Sequence, residues 1–370
     1  HLPEPAERRV LRFTLKSAGS AHIPDAVRKA TINSQGIILD TLDRRWIADL
    51  NNLSSPPVKQ DTFHRYKRRI EVFADLTCIV VKSERPVRKG EQFDMLKAYD
   101  HAGKQKWQYV RPDEDINIRS ITRTGSTLLL NCGPDGVEAL NAVDGKSLWP
   151  GPLTRTGDGC RGFHTDGRSI AIKHFKDNKV SEITLVFADL KTGKTSWQRP
   201  MGSDRLWHDP LILGDIIFAL DDFNHEMHAL STKDGSLLYK VYFDSIFPRE
   251  PITDGKVLYI HERDMKARTI KLHALEPATG ETLWITTLKM PSIHRLPIHL
   301  QNSFFYIDTY NKRILAINLK DGTISLDHKL LPTIPKYVFE ESIVKWQSYA
   351  GRICIITDSG RIYSFELQKP

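Results

Sequence analysis

A short phrase recurs six times along this chain: a hydrophobic strand end, a polar turn closed by glycine, and a large residue four places further on. The glycines are Gly103, Gly145, Gly193, Gly235, Gly280 and Gly322, and the residues four beyond are Trp107, Trp149, Trp197, Tyr239, Trp284 and Leu326. Successive glycines are 42, 48, 42, 45 and 42 residues apart. A period near 45 holding about four strand-like runs is the spacing of one propeller blade per repeat. The expectation is therefore an all-β chain, a single β-propeller domain over residues 1–370 built of four-stranded antiparallel blades.

The chemistry of the phrase explains its residues. Small Ala139, Ala229, Ala274 and Ala316 let one strand pack closely against the next blade. Asn141, Asp189, Ser231 and Asn318 stand four before the glycine, where a short polar side chain can hydrogen-bond the turn, and glycine supplies the positive φ. The lines ALNAVDGKSLW (139–149), FADLKTGKTSW (187–197) and ALEPATGETLW (274–284) resemble the tryptophan-docking motif of quinoprotein-like, or PQQ-like, propellers. That resemblance covers nearly the whole chain, but its motif specifies the blade and not a reaction.

Each clear repeat parses into strands a to d. The last gives a (SIVKWQSY), b (RICIITD) and c (RIYSFELQ) and lacks d. The N-terminal run RRVLRFTLKS alternates without a partner of its own, so residues 8–17 are expected to pair with 361–368 and close the last blade. Residues 20–60, where RWIADLNN echoes FADLKTG, read as a degenerate first blade. That makes eight blades, with seven plus an N-terminal extension as the alternative.

Composition narrows the function classes. With 40% hydrophobic and 26% charged residues the balance is that of a water-facing protein, and no run approaches the ~18 apolar residues of a membrane helix. The start, HLPEPAERRV, shows no signal-peptide apolar stretch. The four cysteines, 78, 132, 160 and 354, are scattered, and three lie in apolar runs, which favours buried reduced thiols and an intracellular setting, with the periplasm as alternative. No metal or cofactor is expected. The dehydrogenases the motif resembles hold pyrroloquinoline quinone with calcium and carry adjacent cysteines, and no two cysteines here are neighbours. The lipid-attachment cysteine expected in the propeller of the bacterial barrel-assembly machine is also absent from the sequence. A dehydrogenase and a cell-envelope assembly scaffold remain the alternatives to a non-enzymatic interaction module.

One pattern goes beyond the blade phrase. Six residues before the a to b turn stand Arg119, Arg161, His208, Arg249, Arg295 and Lys345, with Arg69 in the same neighbourhood of an earlier repeat. Strand a of a propeller is innermost, so these positions are expected at one mouth of the channel, where converging cations would draw an acidic or phosphorylated protein segment. The bland alternative pairs some of them with Asp209, Glu250 or Glu341. The net charge is +8, and the basic residues form no long tract, which disfavours nucleic acid. The partner expected is a protein, the propeller acting as a monomer within a larger chain or complex.

Overall fold

The computed structural model of the chain describes residues 14–22, 29–33, 36–40, 45–48, 58–60, 67–73, 75–82, 94–100, 104–110, 118–154, 160–175, 183–202, 208–221, 224–244, 251–264, 266–289, 297–308, 311, 313–329, 343–349, 352–357, 359 and 361–368. Apart from one 3-10 turn at Gly133–Asp135, every regular element is a strand.

Short polar turns between apolar runs give antiparallel sheets, and they follow the repeat. The first sheet holds β2 (Lys29–Asn33), β3 (Gly36–Asp40), β4 (Arg45–Ala48) and β5 (Val58–Gln60); β1 (Thr14–His22) belongs elsewhere. Next come β6 (Lys67–Val72), β7 (Thr77–Lys82), β8 (Asp94–Tyr99) and β9 (Gln105–Tyr109), then the three-stranded sheet of β10 (Ser120–Thr124), β11 (Thr127–Asn131) and β12 (Val137–Asn141). The following two sheets are β13 (Cys160–Thr165), β14 (Ser169–Phe175), β15 (Ile183–Asp189), β16 (Thr195–Gly202), and β17 (Leu211–Leu213), β18 (Ile216–Asp221), β19 (Glu226–Ser231), β20 (Leu237–Tyr242). Then stand β21 (Ile252–Thr253), β22 (Leu258–Asp264), β23 (Thr269–Leu275), β24 (Thr282–Leu288), and β25 (Ile298–Leu300), β26 (Ser303–Asp308), β27 (Arg313–Asn318), β28 (Ile324–Lys329). The last sheet is β29 (Ile343–Tyr349), β30 (Arg352–Thr357), β31 (Arg361–Gln368) and, beyond β31, β1.

The missing outer strand of the last sheet is thus supplied by the N-terminal strand, with Thr14 opposite Gln368 and His22 opposite Arg361. The strand is displaced from the expected 8–17. It runs 14–22, and a register shift between Ser17 and Gly19 lets its nine residues match the eight of β31. Residues 8–13 lie outside the described residues. Residues 20–60, read as a degenerate blade, hold a four-stranded sheet despite their weak turn signals.

A second departure concerns the sheet of β10 to β12. The expected outer strand KSLW does not form: only an isolated bridge joins Leu140 to Ser147. Pro150 and Pro152 follow at once, and proline cannot donate to a ladder. The chain instead returns at Leu153, which exchanges backbone hydrogen bonds of 3.0 and 2.9 Å with Val137.

The chain divides into two compact units, one of residues 66–263 with 272–283, the other of residues 1–65, 264–271 and 284–370. Within the first, apolar layers lie between neighbouring sheets; Leu129, Ala139, Trp149, Ile170, Ile172, Val186 and Ala188 form one of them. The second has a core that includes Phe305, Ile314, Ala316, Ile353, Ile355 and Phe365.

Candidate binding site at the strand a end of the sheets

The recurring phrase is a docking joint. Each described turn glycine donates its N–H to the carbonyl four residues back, 2.9 Å from Gly193 to Asp189 and 2.8 Å from Gly145 to Asn141. The polar residue at that position caps the turn: Asn141 Oδ1 accepts from Val143 N–H at 2.9 Å and Asn318 Oδ1 from Lys320 N–H at 2.9 Å. The large residue of the preceding repeat then lies on the glycine. Its indole N–H donates to the carbonyl three before that glycine, Trp107 to Ala142 at 3.0 Å, Trp149 to Leu190 at 2.9 Å and Trp197 to Thr232 at 2.8 Å. Tyr239 makes the same contact with Pro277 through its hydroxyl. A β-carbon at Gly193 would fall 2.6 Å from Trp149 Cγ, and one at Gly322 2.5 Å from Trp284 Cε3. These aromatics are absorbed by packing; Trp107 and Trp149 are buried, Trp197 and Trp284 half-buried.

Because strands alternate in direction, the start of a, the end of b, the start of c and the end of d share one end of each sheet. Of the cations singled out in the sequence, Arg69, Arg119, Arg161, His208 and Lys345 are among the described residues, and their surroundings differ. Arg119 is exposed, and its guanidinium packs over Gly133, where a β-carbon would sit 2.4 Å from Nε. No carboxylate among the described residues bonds it. Arg161 lies in β13 and Arg69 in β6, and only their backbones are described. His208 is 6% exposed, so it is no rim residue; its carbonyl accepts a hydrogen bond of 3.3 Å from the ammonium of buried Lys173. Lys345 is half-buried in β29 and has partners of its own. Arg249 and Arg295 lie outside the described residues. Arg119, Arg161 and His208 belong to one compact unit and Lys345 to the other.

The same end also carries Asp209, named above as a possible partner of the cations, and buried acids that the sequence did not single out. Glu138, at the start of β12, accepts a 2.6 Å hydrogen bond from Tyr109 of the preceding sheet. Asp209 places its carboxylate against Gly162, leaving no room for a side chain there. Glu226 meets His228 Nε2 at 2.5 Å and the Lys240 ammonium at 2.9 Å. Burial pushes its carboxyl up, but the hydrogen bonds from His228 and Lys240 outweigh burial and hold it below the usual carboxylate range. Glu262 lies 3.0 Å from His273, both buried. In the other unit, buried Asp308 is bonded by Arg313, which also reaches Asp327 at 2.8 Å. The available signal was an acid interrupting an apolar strand beside the b to c turn, as in VEALN, EMHAL and YIDTY. Among the described residues this end therefore carries both acids and bases, with Arg119 bonded by no described carboxylate.

Burial pushes the Cys160 thiol up to about 12, far from the thiolate that reactivity needs. All four cysteines are buried and form no disulfide. Among the described residues no group of three or more His, Cys, Asp or Glu could hold a metal ion, and no helix is long and apolar enough to cross a membrane. The opposite end carries an open cleft of about 470 Å³ lined by Asp166, Arg168, Phe187 and Asp215.

Residues 72–235 match a family model described as outer membrane protein assembly factor BamB. The chain folds as a β-propeller, and within it residues 72–235 are similar to the PQQ-like repeat of that family model. Among solved structures, BamB from Moraxella catarrhalis is similar over 95% of this chain and 98% of its own, at 13% identity and a TM-score of 0.59. The computationally designed Ika8 protein aligns over 95% of this chain and 99% of its own, at 10% identity and a TM-score of 0.65. Quinohemoprotein alcohol dehydrogenase from Comamonas testosteroni covers 96% and 77%, at 10% identity and 0.58. No curated protein matches the chain in sequence.

Proposed function

We propose that this propeller is a non-enzymatic scaffold that holds an acidic or phosphorylated segment of a protein partner at the strand a end of its sheets. The observation that carries the reading is Arg119, an exposed guanidinium held in place by packing over Gly133 and bonded by no described carboxylate. A guanidinium fixed in this way keeps its bidentate face for a carboxylate or phosphate without ordering cost. Arg161 holds the corresponding sequence position, six residues before its own turn, in the next repeat.

A fluorescein-labelled hexaglutamate peptide and its phosphoserine counterpart provide the probes. The full chain should bind at least one, more weakly as salt rises, and exchanging Arg119 and Arg161 together for glutamate should weaken binding by about tenfold or more. Absence of binding, or binding indifferent to both substitutions, contradicts the proposal.

The match to an outer membrane assembly factor favours the cell envelope over the intracellular setting suggested by the cysteines. Buried, well-separated thiols stay reduced in either place, so they do not decide the compartment. The quinone-dependent alternative is tested separately: the sequence has no adjacent cysteines, and among the described residues no group of three or more His, Cys, Asp or Glu could hold calcium. Dye reduction after addition of pyrroloquinoline quinone and calcium should not exceed the protein-free rate; turnover above it would restore the enzyme reading.

A further inference from the structure

Beyond that reading, the open cleft at the opposite end lies between the sheet of β13 to β16 and the sheet of β17 to β20, both within one compact unit. An earlier joint of the same unit is closed by charge. There Arg123 of β10 bonds both carboxylate oxygens of Asp75, in the a to b turn of the preceding sheet, and its guanidinium lies 5.9 Å from the centre of the Phe73 ring. Arg123 stands two before the turn glycine Gly125; the residue two before Gly214 is Ile212. An aliphatic side chain cannot make that bridge, and charges on the two sides of the cleft are left without it.

Those charges are Arg168 and Asp215. Both are exposed, and no described residue bonds either side chain. The third charge, Asp166, is engaged in its own turn, where its Oδ1 accepts from the Arg168 N–H at 2.8 Å and the Ser169 N–H at 2.7 Å. The backbone that carries Asp215 is held, since its carbonyl accepts from the Thr232 N–H at 2.9 Å and the Thr232 hydroxyl at 3.2 Å.

The apolar wall also departs from the repeat. Phe187 is the strand partner of Trp197, whereas the residues that pair with Trp107, Tyr239 and Leu326 are Ala98, Ala229 and Ala316. Those joints form with alanine at this position, so docking does not require the ring. Stacking on Trp197, with centroids 5.4 Å apart, fixes the Phe187 ring, and the small part left exposed lines the cleft.

We propose that this cleft binds a small aromatic zwitterion, an amino acid or dipeptide, with its carboxylate on Arg168, its ammonium on Asp215 and its ring against Phe187. A guanidinium matches a carboxylate bidentately, and aromatic rings attract one another in offset or edge-to-face contact. The volume, about 470 Å³, falls within the ~300–1,000 Å³ of small-molecule sites. A ligand of one sign leaves either Arg168 or Asp215 uncompensated, which separates this ligand from the acidic segment proposed for the strand a end.

Ligand-observed NMR titration of the full chain with L-phenylalanine and with glycyl-L-phenylalanine tests the site, and the tighter of the two gives the ligand's size. N-acetylphenylalanine lacks the ammonium, phenylalaninamide the carboxylate and L-alanine the ring; each should bind about tenfold or more weakly than L-phenylalanine or the dipeptide. Arg168→Ala and Asp215→Asn, both at exposed positions, should each weaken binding by about tenfold or more with the melting temperature unchanged. Arg168→Ala should also erase the preference for phenylalanine over its amide, which a purely structural role would leave in place. Arg119→Glu should leave binding unaltered. Absence of binding by both probes up to about 10 mM overturns the proposal. So does binding that Arg168→Ala and Asp215→Asn leave intact, or that the acetylated and amidated probes match.

Discussion

The Trp149 indole fills the space between two sheets and donates to the Leu190 carbonyl, and two substitutions separate these roles. Trp149→Ala should cost about 3 to 5 kcal/mol of unfolding free energy in denaturant titrations. Trp149→Phe keeps much of the apolar contact and should lose a smaller part, on the order of 1 to 2 kcal/mol for the buried carbonyl left unpaired. Gly193→Ala strikes the same joint from the other side, because Gly193 has φ +68° and no space for a β-carbon. Equal losses for alanine and phenylalanine at 149 would mean that the hydrogen bond, and not the packing, holds the joint. At the other end, Glu226 has a folded pKa below its unfolded value, near 4.5. Its stabilising contribution is complete above that pH and disappears as pH falls through the folded pKa. Glu226→Gln should therefore lower the melting temperature at pH 7, with the gap from wild type closing as the pH falls below about 4.5. A gap that widens on acidification would contradict the assignment. The joint was legible in the sequence because both of its halves, the glycine turn and the large residue four places on, recur together in one phrase of eleven residues. The acids at the b to c turns were not, since Glu138 finds Tyr109 only through the packing of separate sheets. His208 shows the same limit: counting back from a turn gives the end of the sheet but not the depth of the side chain.

At the scale of an element, the outer strand is where repeats differ. Pro150 and Pro152 abolish it after Trp149, and Pro200 stands within it in β16. The last sheet borrows β1 from the other end of the chain. Partner and direction of that strand could be read from a final repeat lacking d and an unpaired alternating run. Its limits could not, because alternation continues through 8–22 and the register is fixed by the length of β31. Removing residues 1–22 exposes the whole β31 edge, and the deletion should lower the melting temperature by several degrees and raise aggregation on heating. Removing residues 1–13 alone leaves the β1 to β31 ladder intact and should change little. If the two deletions behave alike, the pairing contributes nothing to stability.

Across the whole molecule, the repeat commits most aromatic and small residues to joining sheets, and what differs between repeats is the charged furniture of their ends. The strand a end holds the exposed Arg119, bonded by no described carboxylate, along with buried acid and base pairs; the opposite end holds the cleft lined by Asp166, Arg168, Phe187 and Asp215. The central claim is that an acidic partner chooses the first of these. Amide hydrogen exchange of the full chain, with and without the hexaglutamate or phosphoserine peptide, distinguishes the ends directly. The account predicts slowed exchange at residues 118–120, 160–162 and 208–211, with residues 166–169 and 214–216 unchanged. Protection confined to 166–169 and 214–216 would place the partner at the opposite cleft and contradict it.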